Sequence, residues 1–449
     1  MNYPQLLLRF FGLRGNVKKT ETEISRMQNE KLRTLLRYAW SNSAYYRRRF
    51  MEAGITEEQL ATLPLCSFPT TDKAELLTHF DELVTVPELQ QEALRRFDAA
   101  EGERQAAYLG KYHLVHTSGS TGKPSYFVYD EAAWSEMLLA IIRGALWNMS
   151  AFAIIKLLLR GPRIAYLAAT DGRYGGALAV TDGVSGLRAK QLSLDIKTPL
   201  SEWVDRMRAF QPNIVIGYPS AIKILGELVE EGKLTLQVER IISCGEPLCA
   251  NTRHYLNEVF HAPIINFYGA GESLALGVED GDESGMTLFD DLNCIEVVDG
   301  EMYVTCLYNF VQPLIRYRLT DALRLRTSNG PFGKADILMG RDEDMLWFAS
   351  DAGERDFLHP LAIEGFCIEG LRDFQFVQTG EASFTMLAET SEGADHAAIE
   401  AQMQQLMKEI LEEKQLSYVR FAVEIVDHIR PDPRTGKKKL ILTAKEACA

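Results

Sequence analysis

The sequence predicts an α/β fold in two parts: a large multi-sheet N-terminal domain over residues 1–340 and a small α+β C-terminal domain over residues 341–449. Three observations carry this. Short apolar strands alternate with helical stretches between residues 163 and 267, and such alternation implies crossovers and substantial parallel pairing. At 449 residues the chain exceeds what a single core usually fills. After Gly340 the alternation gives way to strands, one long helix and a basic tail segment.

Each element has a local reason. Residues 21–54 have the spacing of an amphipathic helix, with Leu32, Leu35, Leu36 and Tyr38 to Trp40 on its apolar stripe. Thr70-Thr71-Asp72-Lys73-Ala74-Glu75 looks like a capped helix start, with a hydroxyl or carboxylate cap and Glu75 in the first turn. Residues 132–146 have helical spacing. Strands are expected at 163–169, 213–216, 239–243 and 263–267, separated by helices at 201–210, 219–231 and 250–260. Hairpin-like strands follow at 294–298, 302–307 and 322–326, with Gly300 as a turn. The last part holds strands at 374–378, 383–389 and 420–427 and a helix at 394–414. The apolar run Ala151 to Leu159 is too short to span a bilayer and is interrupted by Lys156, so it is expected as a buried helix end or connector.

Composition narrows the function. Hydrophobic content of 46% and charged content of 24% are ordinary for a globular chain. A net charge of −14 without a large basic tract argues against nucleic-acid binding and gives no pull towards anionic membranes. The seven cysteines are scattered, odd in number and never in Cys-x-x-Cys spacing, which favours reduced, buried thiols over a disulfide framework or a zinc ribbon. Residues 1–13 are broken by Pro4, Arg9 and Gly12 and lack the features of a signal peptide, so a cytoplasmic location is expected.

The densest chemistry lies in residues 116–126. Gly119 and Gly122 let backbone approach a polyphosphate, Thr117, Ser118, Ser120 and Thr121 add hydroxyls, and Lys123 adds a point charge. Walker spacing is not met, because Thr117 takes the place of its first glycine and Pro124 the place of its final hydroxyl. Proline also disfavours the helix that would cradle phosphate from that point, which sets kinases and GTPases aside. A plain serine-glycine surface turn is the alternative.

With these landmarks in order, the chain resembles the adenylate-forming superfamily of acyl-CoA synthetases and carrier-protein adenylation domains, and most of all its phenylacetate–CoA ligase and CapK-like branch. Tyr45-Tyr46-Arg47, Ala53-Gly54-Ile55 and Pro69 to Lys73 carry the branch likeness, and Thr117 to Pro124 matches the phosphate loop. Ser243-Cys-Gly-Glu-Pro-Leu248 resembles the segment bordering adenine, which implies Gly245, Glu246 and Pro247 as nucleotide contacts. Asn266-Phe-Tyr-Gly-Ala-Gly-Glu272 resembles the motif in which an aromatic ring, here Tyr268 followed by Gly269, stacks on adenine and a glutamate, here Glu272, ligates Mg²⁺. Arg316 to Asp321 matches the strand end whose aspartate holds the ribose, and Gly340 to Asp344 the hinge, with Arg341 as a nucleotide contact and Glu343 at the hinge position. Pro431 to Lys437 resembles the tail motif with the catalytic lysine, with Lys438 and Lys439 as register competitors.

The resemblance implies ATP, Mg²⁺ and coenzyme A as cofactor and co-substrates, Lys437, Glu272 and Lys123 as catalytic residues, and a mobile C-terminal lid. The residue types suit those roles: a carboxylate for a hard cation, an aspartate for two ribose hydroxyls and an arginine fork for phosphate or ribose. A turn-side glutamate, a helix or turn cap and solvated cations are the respective alternatives. Several positions depart from the pattern: Gly271 replaces a hydroxyl, Ser125 a lysine, Leu319-Thr320 the usual Thr-Gly, and Glu343 an aspartate. Residues 272–293 hold neither Cys nor His, so no zinc is expected. Arg173, Tyr174, Gly175, Tyr218 and Pro219 are the candidate acyl-pocket residues, with a plain strand-to-helix turn as the alternative for the first of these segments. The expected substrate is a small carboxylic acid, aryl or medium acyl by branch analogy. The acceptor alternatives are a carrier-protein thiol or an amine, and a nucleotide-binding pseudoenzyme is a third reading. Pairing into a homodimer is open.

Overall fold

The computed structural model describes residues 3–100, 107–116, 125–168, 170, 175–184, 189–195, 198, 200–281, 285–328, 330–341, 346–349, 355–358, 363, 366, 368–413, 416–430 and 439–442. Two compact units divide the chain: Met1–Gly245, Val259–Leu319 and Leu323–Asp336 form the first, and Glu246–Glu258, Thr320–Ala322 and Ile337–Ala449 the second.

The first unit begins with helices α1 (Tyr3–Gly15), α2 (Glu21–Asn42), α3 (Ala44–Glu52), α4 (Lys73–Leu83) and α5 (Gln91–Ala99). The single helix expected over 21–54 is two. Ser43 leaves helical geometry and caps α3, accepting from the Tyr46 amide at 3.3 Å, because its hydroxyl offers an alternative to the helical ladder. Asp72 caps α4 by accepting from the Glu75 amide at 2.9 Å. Strands β1 (Tyr112–His116) and β2 (Tyr126–Asp130) pair antiparallel, and α6 (Glu131–Ala145) follows from its Asp130 cap. The run expected as a buried helix end or connector is a whole helix, α7 (Ala151–Arg160). It buries Ile154 and Leu157 but leaves Phe152, Ile155 and Leu159 exposed, since one helical run cannot turn every apolar position inward.

The alternating region then supplies β3 (Arg163–Ala168), α8 (Gly175–Val184), β4 (Lys190–Asp195), α9 (Leu200–Phe210), β5 (Ile214–Gly217), α10 (Pro219–Glu230), β6 (Arg240–Cys244), α11 (Ala250–Phe260) and β7 (Ile264–Ala270). Strands β3 to β7 all pair parallel, in the order β4-β3-β5-β6-β7. Strands β3, β5, β6 and β7 read as apolar runs because both faces are covered, and Ala165, Leu167, Val215 and Ile241 are fully buried, whereas the edge strand β4 is polar and largely half-buried. Beyond β7 the pairing turns antiparallel through β8 (Ser273–Glu279) and β9 (Met286–Leu288). Strands β10 (Asn293–Val298), β11 (Glu301–Cys306) and β12 (Tyr317–Leu319) form a separate antiparallel sheet. Strands β13 (Asp321–Arg326) and β14 (Lys334–Arg341) complete the nine-stranded sheet at its far edge.

A fully buried ion pair links α6 to the turn before β10. Arg143 donates to both carboxylate oxygens of Asp291, at 2.6 and 3.0 Å, and Asn16 adds a third donor at 2.7 Å.

The second unit has its own core. Strands β15 (Leu346–Ala349) and β16 (Arg355–Leu358) form a hairpin, and β17 (Leu371–Gly380), β18 (Ser383–Thr390), β19 (Arg420–Val426) and β20 (Ile441–Leu442) form a sheet in the order β19-β18-β17-β20. Helix α12 (His396–Glu413) packs on that sheet through Ile399, Met403, Met407 and Leu411, whose i, i+4 spacing makes one stripe. Among the described residues no helix is long and apolar enough to cross a membrane.

Candidate active site

The parallel strands end side by side. Leu167 pairs with Gly217, Gly217 with Ser243, Ser243 with Asn266 and Cys244 with Phe267. In open α/β sheets, ligands bind outside this carboxyl edge. The segments that leave β5, β6 and β7 carry Tyr218-Pro219, Gly245 and Tyr268 to Glu272.

Close packing fixes their glycines. A Cβ on Gly217 would lie 2.1 Å from the Leu167 carbonyl oxygen, which accepts from the Tyr218 amide at 3.0 Å. Tyr218 and Pro219 are buried where α10 begins, with proline at the first helical position. Gly245 has φ +77°, and a Cβ there would lie 2.7 Å from the Tyr218 ring. Gly175 is buried at the head of α8, where a Cβ would lie 2.5 Å from the Leu274 side chain.

The β7–β8 hairpin holds the next motif. Ala270 pairs with Ser273, leaving Gly271 and Glu272 as the two-residue turn, with an irregularity between Tyr268 and Ala270. Gly269 faces Leu274 so closely that a Cβ would lie 2.3 Å from its carbonyl oxygen. Tyr268 is half-buried and its hydroxyl donates to Met302 Sδ at 3.4 Å. The half-buried Glu272 has its backbone gripped from β2: the Tyr129 hydroxyl donates to the Gly271 carbonyl at 2.9 Å and reaches that of Glu272 at 3.2 Å. Burial pushes the Tyr129 phenol well above its ordinary pKa, and the negative charge of Glu272 adds to this, so it remains a donor. On the next residue, Ser273 Oγ donates to Asn293 Oδ1 at 3.0 Å and lies 3.0 Å from the Tyr308 hydroxyl.

Arg316 anchors the run that leads to Asp321. It adopts φ +47°, pairs with Glu296 at 3.0 Å and donates to the Cys66 and Phe68 carbonyls at 2.9 and 2.6 Å. Arg318 pairs with Glu301 at 2.6 Å. The half-buried Asp321 is the first residue of β13 and groups with the second unit.

The structure thus brings Gly175, Tyr218, Pro219, Gly245, Tyr268, Gly269 and Glu272 to one region of the first unit. Glu246, Pro247, Asp321 and Arg341 belong to the second unit, Arg341 as the last residue of β14. Thr117, Ser118, Gly119, Ser120, Thr121, Gly122, Lys123, Arg173, Tyr174, Glu343 and Lys437 lie outside the described residues, as does Lys438. The backbone carbonyl of Lys439 accepts from Gln375 Nε2 at 2.8 Å. Sequence reasoning missed Tyr129, Tyr308, Asn293 and Met302 as supports of the hairpin, and Arg316 as an anchor.

These residues fit a nucleotide and its cation. Glycines with no room for a Cβ, at Gly245 and Gly269, leave backbone accessible next to the Tyr218 and Tyr268 rings. Among the described residues no group of three or more His, Cys, Asp or Glu side chains could hold a metal. A site in which Glu272 supplies one carboxylate oxygen and substrate phosphates supply others is the arrangement that magnesium accepts.

No protein-family model matches the chain. Phenylacetate-coenzyme A ligase of Pseudomonas putida is 25% identical over 343 residues, covering 71% of this chain and 71% of that one. The enzyme of the same name from Escherichia coli K12 is 25% identical over 351 residues, covering 72% of each. Among solved structures, 2-hydroxyisobutyryl-CoA ligase in the postadenylation state superposes with a TM-score of 0.72 at 21% identity, over 96% of this chain and 92% of that one. The chain is thus similar in sequence to phenylacetate-coenzyme A ligases and shares the fold of 2-hydroxyisobutyryl-CoA ligase.

Proposed function

We propose that the protein is an AMP-forming acid–thiol ligase, which activates a carboxylic acid with ATP and passes the acyl group to coenzyme A. The observation that carries this is the convergence of Tyr218, Gly245, Tyr268, Gly269 and Glu272 at the carboxyl edge of the parallel sheet.

In the first half-reaction a carboxylate oxygen attacks the α-phosphorus of ATP, and the bond to the departing pyrophosphate breaks. Thr117 to Lys123 would hold the β- and γ-phosphates, Tyr268 the adenine, Asp321 and Arg341 the ribose and phosphate, and Lys437 the carboxylate and α-phosphate. A bound magnesium ion would neutralise phosphate charge, and Glu272 is the residue that would hold it. Catalysis is then positioning plus charge stabilisation. In the second half-reaction the thiol sulfur attacks the acyl carbon and AMP leaves. Residues 341–449 would act as the lid that carries Lys437, turning at Glu343. Arg173, Tyr174, Gly175, Tyr218 and Pro219 would shape the acyl pocket, with an aryl or medium acyl acid as substrate.

The test is carboxylate-dependent pyrophosphate release from Mg-ATP over a panel of aryl and aliphatic acids. Release with particular acids is expected, falling about 10²-fold or more in Lys437→Ala. ATP binding without release for any acid would overturn the assignment. Thioester formation with coenzyme A, compared with a phosphopantetheinylated carrier protein, then fixes the acceptor.

A further inference from the structure

The Gly271–Glu272 turn is held by a side chain that no motif includes. Tyr129 lies on β2, 142 residues before Gly271, and is fully buried. Its single hydroxyl hydrogen is shared between two successive carbonyl oxygens, at 2.9 and 3.2 Å. Those carbonyls belong to the peptide units on either side of the Glu272 Cα. The grip therefore fixes the backbone from which the Glu272 side chain departs. Ser273, held by Asn293 and 3.0 Å from the Tyr308 hydroxyl, fixes the other side of the turn. A two-residue turn containing glycine has backbone freedom to lose, and the tyrosine removes it.

We propose that Tyr129 is a positioning residue for the cation ligand Glu272: it sets the carboxylate's aim and so the magnesium dependence of ATP binding. This rests on the proposed role of Glu272. Outer-shell partners of metal ligands commonly alter metal affinity about ten- to a hundredfold. The hydroxyl acts only through the backbone of Glu272, so its loss should have no further effect once that carboxylate is gone.

The experiment is calorimetric ATP binding to the full-length protein across a magnesium series, with melting temperature and pyrophosphate release measured in parallel. The variants are Tyr129→Phe, Glu272→Gln, the double variant, and Ser43→Ala as a stability control. Ser43 is a fully buried hydroxyl donating to the Glu82 carbonyl at 3.1 Å, remote in sequence from the hairpin. Tyr129→Phe is expected to raise half-saturating magnesium about tenfold while saturating magnesium largely restores turnover. Ser43→Ala should lower the melting temperature without that shift. In the Glu272→Gln background, Tyr129→Phe should change magnesium dependence less than about twofold. A shift below twofold in Tyr129→Phe, or a full shift persisting without the carboxylate, overturns the proposal. Unchanged magnesium dependence in Glu272→Gln overturns the role of Glu272 itself, and the proposal with it.

Discussion

Asp290 stands next to the buried Arg143–Asp291 pair but has no cation of its own among the described residues; its carboxylate accepts from the Gly333 amide at 2.5 Å. Burial pushes its carboxyl up to about 6, and the neighbouring Asp291 charge adds to the rise. The folded protein therefore binds this proton more tightly than the unfolded chain, whose reference value is 3.8. The stability gained is complete below that reference value and is lost as pH rises through about 6. Asp290→Asn keeps an acceptor for Gly333. It should flatten this part of the pH profile and be the more stable form at pH 7, by roughly 3 kcal/mol at most. Denaturant titrations of both forms between pH 4 and 8 check this, and equal slopes would refute it. At this scale the sequence was legible where chemistry is local. Glu272 stands out as a carboxylate beside Tyr268 and two glycines, whereas Tyr129 looks like one more aromatic in the apolar run Tyr126-Phe127-Val128-Tyr129. Its role arises from a partner 142 residues away, which no window contains.

Among the elements, the β7–β8 hairpin has little tolerance. Gly269 is exposed to one side, yet the Leu274 backbone leaves its Cβ position blocked at 2.3 Å. Backbone cannot rotate away as a side chain can, so Gly269→Ala must spread the hairpin and should cost about 3 kcal/mol or more. Thermal unfolding would measure it; a loss below about 0.5 kcal/mol would contradict the packing. Strands β3, β5, β6 and β7 are readable from the sequence, because burial on both sheet faces imposes unbroken apolar runs, whereas α8 and the polar edge strand β4, with Lys190, Gln191 and Ser193, are not. Nor is the break at Ser43, since serine inside a helix and serine capping the next one have the same pattern. The exposure of Phe152, Ile155 and Leu159 on α7 is not legible in the sequence, because an apolar run carries no mark of which side meets solvent.

At the level of the whole molecule, the antiparallel partners of β7 and the grouping of residues 246–258 with the second unit depend on long-range contacts rather than local pattern. The motif order was nevertheless enough to show the resemblance, and the segments after β5, β6 and β7 do leave one sheet edge. The Arg143–Asp291 pair has a different reach. It joins residues 148 apart, and Asn16 reaches the same carboxylate across 275 positions. Removing either charge alone strands the other in the core, at about 3–5 kcal/mol, whereas replacing both with apolar groups of similar volume is often tolerated. Sequence drift is therefore gated at these two positions: neither can change first without a loss on the order of a domain's whole margin. In a randomised library selected for folded protein, single substitutions at 143 or 291 should vanish while paired apolar replacements survive. Free recovery of the singles would show that the gate is open.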